Sequence, residues 1–334
     1  MNILLATDAW PPQVNGVVRT LMALKRELAA LGHGVSVIGP DRFRSIRCPG
    51  YTEIRLAIDA GPRIGHMIEA AAPDAIHVVT EGPVGLAARR WCLKRGLAFT
   101  TAFHTRFPEY LAERRIAPKA LTYTFLRRFH APSQGVMVAT ESVRRELAAR
   151  GFGNLKPWGR GVDTALFDPA RRDGAIDLPR PIFLSVGRIA REKNLAAFLA
   201  LDLPGSKVVV GEGPQLLELR RRFPGAHFLG RRDNGVLAGI YAAADVFVFP
   251  SRTDTFGLVM LEALASGVPV AAFPVPGPLD VIGDSGAGAL DEDLRAAALA
   301  ALHIPRERCR EHALSFTWTA CAAMFVDQLC PLRR

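Results

Sequence analysis

The sequence predicts an α/β protein of two domains, each built on a parallel β-sheet, and three observations carry that expectation. Short apolar runs alternate with helical patterns along both halves of the 334-residue chain, the rhythm that βαβ units produce. A stretch rich in Asp, Arg and Pro, 168–181 (DPARRDGAIDLPRP), interrupts this rhythm near the middle and reads as an interdomain linker. The length suits two domains of about 150 residues each, and a hydrophobic content of 49% supplies two cores.

In the first half, strands are expected at 2–7, 34–38, 74–79, 98–103, 135–139 and 154–158. Helical patterns lie between them at about 15–32, 62–72, 84–95, 119–129 and 141–150. The segment 119–135 is unusual in being both basic and aromatic, with Tyr123, Phe125, Arg127, Arg128, Phe129 and His130. After the linker, strands are expected at 182–186, 207–210, 227–229, 246–249 and 269–272, again with helices between. The stretch 305–330 is helical in pattern, with no strand after it. Two Rossmann-like halves of this kind face a central cleft. Open parallel sheets bind ligands beyond the carboxyl ends of their strands, so the loops there are where chemistry is expected.

Bulk properties narrow the class. Met1 and Asn2 lead directly into Ile3-Leu4-Leu5, without a basic n-region. No apolar run reaches the roughly 18 residues of a membrane span. The five cysteines are odd in number and scattered, so a cytoplasmic protein with reduced thiols is expected. The net charge of +10 is uneven: residues 1–165 carry 23 Lys and Arg against 13 Asp and Glu, and the remainder carries 19 of each. A basic half fits nucleic acid, anionic lipid headgroups or an acidic substrate, and equally the solvated faces of an arginine-rich protein.

The sequence lacks a G-x-G-x-x-G fingerprint, a P-loop, an HExxH helix, metal-spaced Cys and His, and a GxSxG elbow. What the strand ends carry instead is polar and charged. The first loop, Asp8 to Val18, contains Asn15-Gly16 at a helix start, where free N–H groups and the positive dipole end suit a diphosphate and Asn15 suits a helix cap. His104 follows the strand at 98–103, placed to hydrogen-bond a sugar hydroxyl or carry a proton. Gly187-Arg188 and Lys193 follow the strand at 182–186, and a guanidinium with an ammonium suits a diphosphate leaving group. The strand at 246–249 leads into a loop with Asp254, then a helix from about Gly257 that carries Glu262. Paired carboxylates accept hydrogen bonds from vicinal hydroxyls, and the N–H groups of Thr255, Phe256, Gly257 and Leu258 sit where an anion or hydroxyl would bind.

These motifs together resemble the retaining GT-B glycosyltransferases known as glycosyl transferases group 1. Asp254 and Glu262 match the family's acid-x7-acid signature, and Gly187-Arg188-Ile189 with Glu192-Lys193-Asn194 matches its phosphate motif. Val210-Gly211-Glu212-Gly213-Pro214, Arg160-Gly161-Val162-Asp163, Tyr241-Ala242-Ala243-Ala244-Asp245 and Pro11-Pro12 with Asn15-Gly16-Val17 match further family segments. The family usually has Glu where this chain has Asp254, and Asn where it has Arg160. The sequence is also similar to bacterial GDP-mannose-dependent mannosyltransferases and to glycolipid and sulfolipid synthases.

The resemblance implies domains of 1–165 and 166–316, with 317–334 packing back on the first. It implies that Gly16 lets the diphosphate approach the backbone, that Arg188 and Lys193 hold it, and that Glu262 takes the ribose hydroxyls. Asp254 and His104 would contact the transferred sugar. Arg160, Gly187, Arg231 and the segment Thr255–Leu258 would complete the donor site, with backbone near 228–232 meeting the base. A UDP- or GDP-sugar is the implied donor, with no cofactor and no metal. The acceptor would meet the basic first half, which suits a lipid or glycan at the inner face of the cytoplasmic membrane, docked through Trp10, Tyr110, Phe125, Arg127, Arg128 and Phe129. Among rivals, an epimerase is disfavoured by the Asp254–Glu262 spacing and a phosphorylase by the absence of a pyridoxal lysine motif. Nucleic-acid binding is disfavoured because the charge spreads over many helices.

Overall fold

The computed structural model describes residues 1–13, 15–48, 51–113, 115–172 and 176–332. Val14 of the first loop and residues 173–175 of the expected linker therefore lie outside the described residues. The chain forms two compact units, Met1–Arg160 with Trp318–Arg334, and Gly161–Thr317.

The first unit contains β1 (Asn2–Ala6), β2 (Gly34–Ile38), β3 (Ser45–Cys48), β4 (Tyr51–Ala57), β5 (Ala75–Val78), β6 (Thr100–Phe103), β7 (Val136–Val138) and β8 (Leu155–Pro157). Six of these form one sheet in the order β2-β1-β5-β6-β7-β8, with every neighbouring pair parallel. The antiparallel pair β3 and β4 stands apart from it and was not expected. Alternation along β1 and β5 builds two cores. Leu4, Ala6, Ile76 and Val78 pack with Ile64, Ile68, Val84 and Cys92 from the helices Ala60–Ala71 and Pro83–Arg95. Ile3, Leu5, Ala75 and Val79 pack with Leu21, Leu24 and Leu28 of the helix Gly16–Ala30.

That second core is completed from far along the chain. Cys321, Ala322 and Phe325 of the helix Trp318–Gln328 enter it, and the fully buried Trp158 donates its indole N–H to the Cys321 carbonyl at 3.2 Å. The expected single helical stretch at 305–330 is two helices, Arg306–Leu314 and Trp318–Gln328. The first belongs to the second unit and the other to the first.

The second unit contains β9 (Ile182–Val186), β10 (Ser206–Val210), β11 (His227–Phe228), β12 (Val246–Phe249), β13 (Val270–Ala272) and β14 (Gly288–Leu290), in the order β11-β10-β9-β12-β13-β14. All five pairs are parallel. In order of appearance this is third, second, first, fourth, fifth, sixth, the Rossmann arrangement. The winding direction reverses between β9 and β12, and a crevice opens at such a reversal beyond the carboxyl ends of the two strands. The residues ahead of β9 already belong to this unit. Arg310 donates to the carbonyls of Thr164 and Phe167 and pairs with Asp168 at 2.9 Å. The division therefore falls ahead of the Pro-rich stretch 168–181.

Candidate active site

At the reversal point of the second unit, the loops after β9 and β12 are bound to each other. Ser251 donates its hydroxyl to the Glu192 carbonyl at 3.2 Å, and the Asn194 amide donates to the Pro250 carbonyl at 3.1 Å. Lys193 ends a short 3₁₀ turn, Arg191–Lys193, and its Nζ reaches Asp254 Oδ1 at 2.6 Å. The pair is mostly enclosed, with side-chain exposures of 28% and 15%. Asp254 Oδ2 is buried and makes no hydrogen bond among the described residues, so the carboxylate keeps an acceptor for one more donor.

Arg188 is half-buried at the start of the same loop. Next to it, Gly187 N–H donates to the Val210 carbonyl and Gly211 N–H to the Gly230 carbonyl, continuing the sheet into the loops after β9 and β10. The approach is so close that a Cβ on Gly211 would lie 1.8 Å from the Gly187 carbonyl oxygen. Glycine is therefore required for the loop to hold its course. Arg231, exposed, follows Gly230 directly.

Beyond Asp254 the chain turns through Thr255, half-buried, and Phe256, buried. It enters the helix Leu258–Ala265 from Gly257, whose φ of +88° suits glycine. The first turn of a helix leaves N–H groups without intrahelical partners, and here they lie one residue past the loop that carries Asp254. Glu262 is buried, and its Oε2 accepts the phenol proton of Tyr241 at 2.9 Å. Tyr241 is itself wholly enclosed, edge-on to Phe167. Sequence reasoning noted Tyr241 only as part of a motif. Its place on the inward stripe of the helix Asn234–Ala243, beside Leu237 and Ile240, is the signal that would have marked it as the residue orienting Glu262.

The first unit carries the remaining expected residues. Gly16 is exposed at the start of the helix Gly16–Ala30, and Asn15 caps it through Oδ1, which accepts from the Val18 N–H at 3.0 Å. His104 follows β6 and Arg160 follows β8. Arg160 Nη2 donates to His104 Nδ1 at 3.2 Å. Burial holds the His104 imidazole well below its ordinary pKa, and the charge of Arg160 pushes the same way. The ring is neutral at physiological pH.

The basic, aromatic segment forms the helix Lys119–His130, and one of the expected surface residues is misplaced. Phe129 is only 3% exposed and belongs to the core, because Thr122, Tyr123, Leu126, Phe129 and His130 make the buried face. Trp10 and Tyr110 are half-buried. The outward stripe is Leu121, Phe125 and Arg128, with Ile116 just before it and Phe107 on the neighbouring helix Phe107–Glu113. Among the described residues no group of three or more His, Cys, Asp or Glu is placed to hold a metal ion.

Two Rossmann-like units with these strand-end loops define a glycosyltransferase of the GT-B fold. Residues 14–166 match the family described as Glycosyltransferase Family 4, and residues 180–304 match Glycosyl transferases group 1. The chain thus carries a Glycosyltransferase Family 4 domain followed by a Glycosyl transferases group 1 domain. It is 29% identical to a GDP-mannose-dependent alpha-mannosyltransferase of Mycolicibacterium smegmatis, over 95% of this chain and 94% of that one. It is 29% identical to an alpha-monoglucosyldiacylglycerol synthase of Streptococcus pneumoniae, over 94% and 81%. Among solved structures, sucrose-phosphate synthase from Thermosynechococcus elongatus shares the fold with a TM-score of 0.79, over 98% of this chain and 97% of that one, at 22% identity.

Proposed function

We propose that this glycosyltransferase moves a hexose, mannose or glucose or a close relative, from a UDP- or GDP-sugar to a hydroxyl of a membrane lipid or glycolipid, with retention at the anomeric carbon. The observation that carries the reading is the Lys193–Asp254 pair at the winding reversal, with a buried, Tyr241-held Glu262 eight residues beyond Asp254 on the helix that follows. Lys193 and Arg188 take the diphosphate and stabilise the charge that grows as the sugar–phosphate bond breaks. Glu262 accepts from the ribose hydroxyls. Asp254 Oδ2 accepts from a hydroxyl of the transferred sugar, and His104 contacts that sugar from the first unit. Gly16 and the segment Thr255–Leu258 offer backbone to the donor, and Arg231 stands near the base. The diphosphate leaves and the acceptor arrives on one face of the sugar, so no protein nucleophile is invoked. The cations facing the leaving group are side chains, and the proposal includes no resident cofactor or metal.

A thermal-shift panel of UDP-, GDP- and ADP-sugars tests this reading. A ligand at about 100 times its dissociation constant adds roughly 2.7 kcal/mol of stability, so one base should raise Tm clearly above the others. No shift with any member of the panel would sink the donor assignment.

The GDP-mannose and diacylglycerol specificities named for the two relatives support both the donor class and a lipid acceptor. The first unit offers a matching surface. Leu121 and Ile116 are 66% and 65% exposed and Phe125 is 46% exposed, beside the exposed Arg115, Lys119, Arg127 and Arg128. Such a surface suits shallow insertion at an anionic bilayer, each cation adding about 1 kcal/mol. No described helix is long and apolar enough to cross a membrane, so the proposed location is peripheral, on the cytoplasmic face. Leu121→Ser with Phe125→Ser should lower partition onto phosphatidylglycerol vesicles about tenfold or more. Equal wild-type binding to neutral phosphatidylcholine vesicles would remove the electrostatic component.

A further inference from the structure

We propose that Arg160 is a positioning residue, whose guanidinium donates to His104 Nδ1 and so holds the imidazole in the tautomer that carries its proton on Nε2. His104 then meets the transferred sugar as a hydrogen-bond donor only. The positioning role rests on the sugar contact proposed above, whereas the tautomer does not.

A guanidinium has donors and no acceptor. The nitrogen facing it across 3.2 Å must therefore be the unprotonated one, which leaves the proton of the neutral ring on Nε2. The guanidinium has little freedom to offer any other contact. Its Nη1 donates to the carbonyls of Trp158 at 2.7 Å and Gly159 at 2.8 Å, and its Cζ lies 4.3 Å from the centre of the Trp158 ring. The same indole stands edge-on to His104 at 5.6 Å. One tryptophan thus braces both partners.

Arg160 is only 6% exposed, and no carboxylate among the described residues pairs with it. Burial lowers its pKa to about 10, still well above neutrality. A buried, unpaired cation is costly for a fold to keep, and fixing His104 gives it a use. The other titratable groups around His104 do not compete for Nδ1. His77, on β5, is bonded through its own Nδ1 to the Thr100 hydroxyl at 2.8 Å. His130 is bonded to the Thr101 hydroxyl and to Glu81. Both histidines, like Arg160, push His104 toward the neutral form.

The test is two-bond ¹H–¹⁵N spectroscopy of the full-length protein with labelled histidine, the His104 ring being assigned through His104→Gln. The wild-type ring should show a protonated Nε2, a bare Nδ1 and no titration near neutral pH. Arg160→Met should allow the other tautomer and move the titration up toward neutral pH. It should lower kcat roughly tenfold to a hundredfold while the donor KM stays within about twofold. Arg160→Gln keeps an amide donor and should recover part of both effects. A wild-type ring protonated on Nδ1, or an unchanged ring spectrum in Arg160→Met, would overturn the proposal. A rise in donor KM with kcat preserved would place Arg160 on the diphosphate instead. Correct ring behaviour with full turnover in His104→Gln would remove the sugar contact, and with it the positioning role, while leaving the tautomer assignment standing.

Discussion

Lys193→Ala is expected to lower kcat by about a hundredfold to a thousandfold, with most of the fold retained. Removing one preorganised charge from a developing anion costs rates of this order. The structure adds a second consequence. Asp254 Oδ1 loses its partner at 2.6 Å, and Oδ2 already has none. A carboxylate only 15% exposed would then have neither oxygen satisfied, which costs about 1–3 kcal/mol of stability. Asp254→Asn in the Lys193→Ala background should return part of that stability, because an amide has no charge to leave unpaired. It should return none of the turnover. Thermal melts and single-turnover rates on the four chains of this cycle separate the two effects. Lys193→Ala with near-normal kcat would take the lysine out of the mechanism, whatever its effect on Tm.

Glu262→Ala should weaken nucleotide-sugar binding about thirtyfold to a hundredfold, the loss of about 2–3 kcal/mol expected when a carboxylate holding two vicinal hydroxyls is removed. The apo protein should also melt lower, since the Tyr241 hydroxyl would lose its 2.9 Å acceptor inside a closed site. Tyr241→Phe isolates the orienting effect. It keeps the carboxylate but frees it to turn, so donor affinity should fall by only a few-fold. Isothermal titration with the nucleotide chosen by the panel reads both variants. Unchanged affinity in Glu262→Ala would place the ribose elsewhere.

The parts of this protein that were legible in sequence are those decided locally. β2, β9 and β12 coincide with their expected bounds, because each is a short apolar run between turn residues. The β3–β4 pair escaped notice because β3 is largely exposed and lacks a buried alternation. The Pro49-Gly50 dipeptide was the available turn signal. β14 is three half-buried residues opening on a glycine, too short to show a period. The helix Phe107–Glu113 was hidden by Pro108, yet proline is tolerated in a first helical turn. Phe129 adjoins the exposed Arg127 and Arg128 in sequence, but helical phase turns it to the buried face. Counting Thr122, Tyr123, Leu126, Phe129 and His130 at three- and four-residue steps would have put it inside.

The site shows the same division. The loops holding Arg188, Lys193 and Asp254, and the helix carrying Glu262, could be placed after strand ends from spacing alone. Which side chains meet could not be read in that way. Lys193 and Asp254 are 61 residues apart, Arg160 and His104 are 56 apart, and Tyr241 and Glu262 are 21 apart. Those meetings depend on strand order, and strand order depends on the whole sheet.

The helix Trp318–Gln328 has a bearing on how the protein is made. Residues 1–160 leave the ribosome first, yet the apolar face they build around Ile3, Leu5 and Trp158 stays open until Cys321, Ala322 and Phe325 have been synthesised. The intervening unit has its own sheet and core and can close in the meantime. The half begun first is thus finished last. During that delay a nascent chain carries an uncovered indole and a row of aliphatic side chains, the kind of transient surface that invites chaperone capture or aggregation.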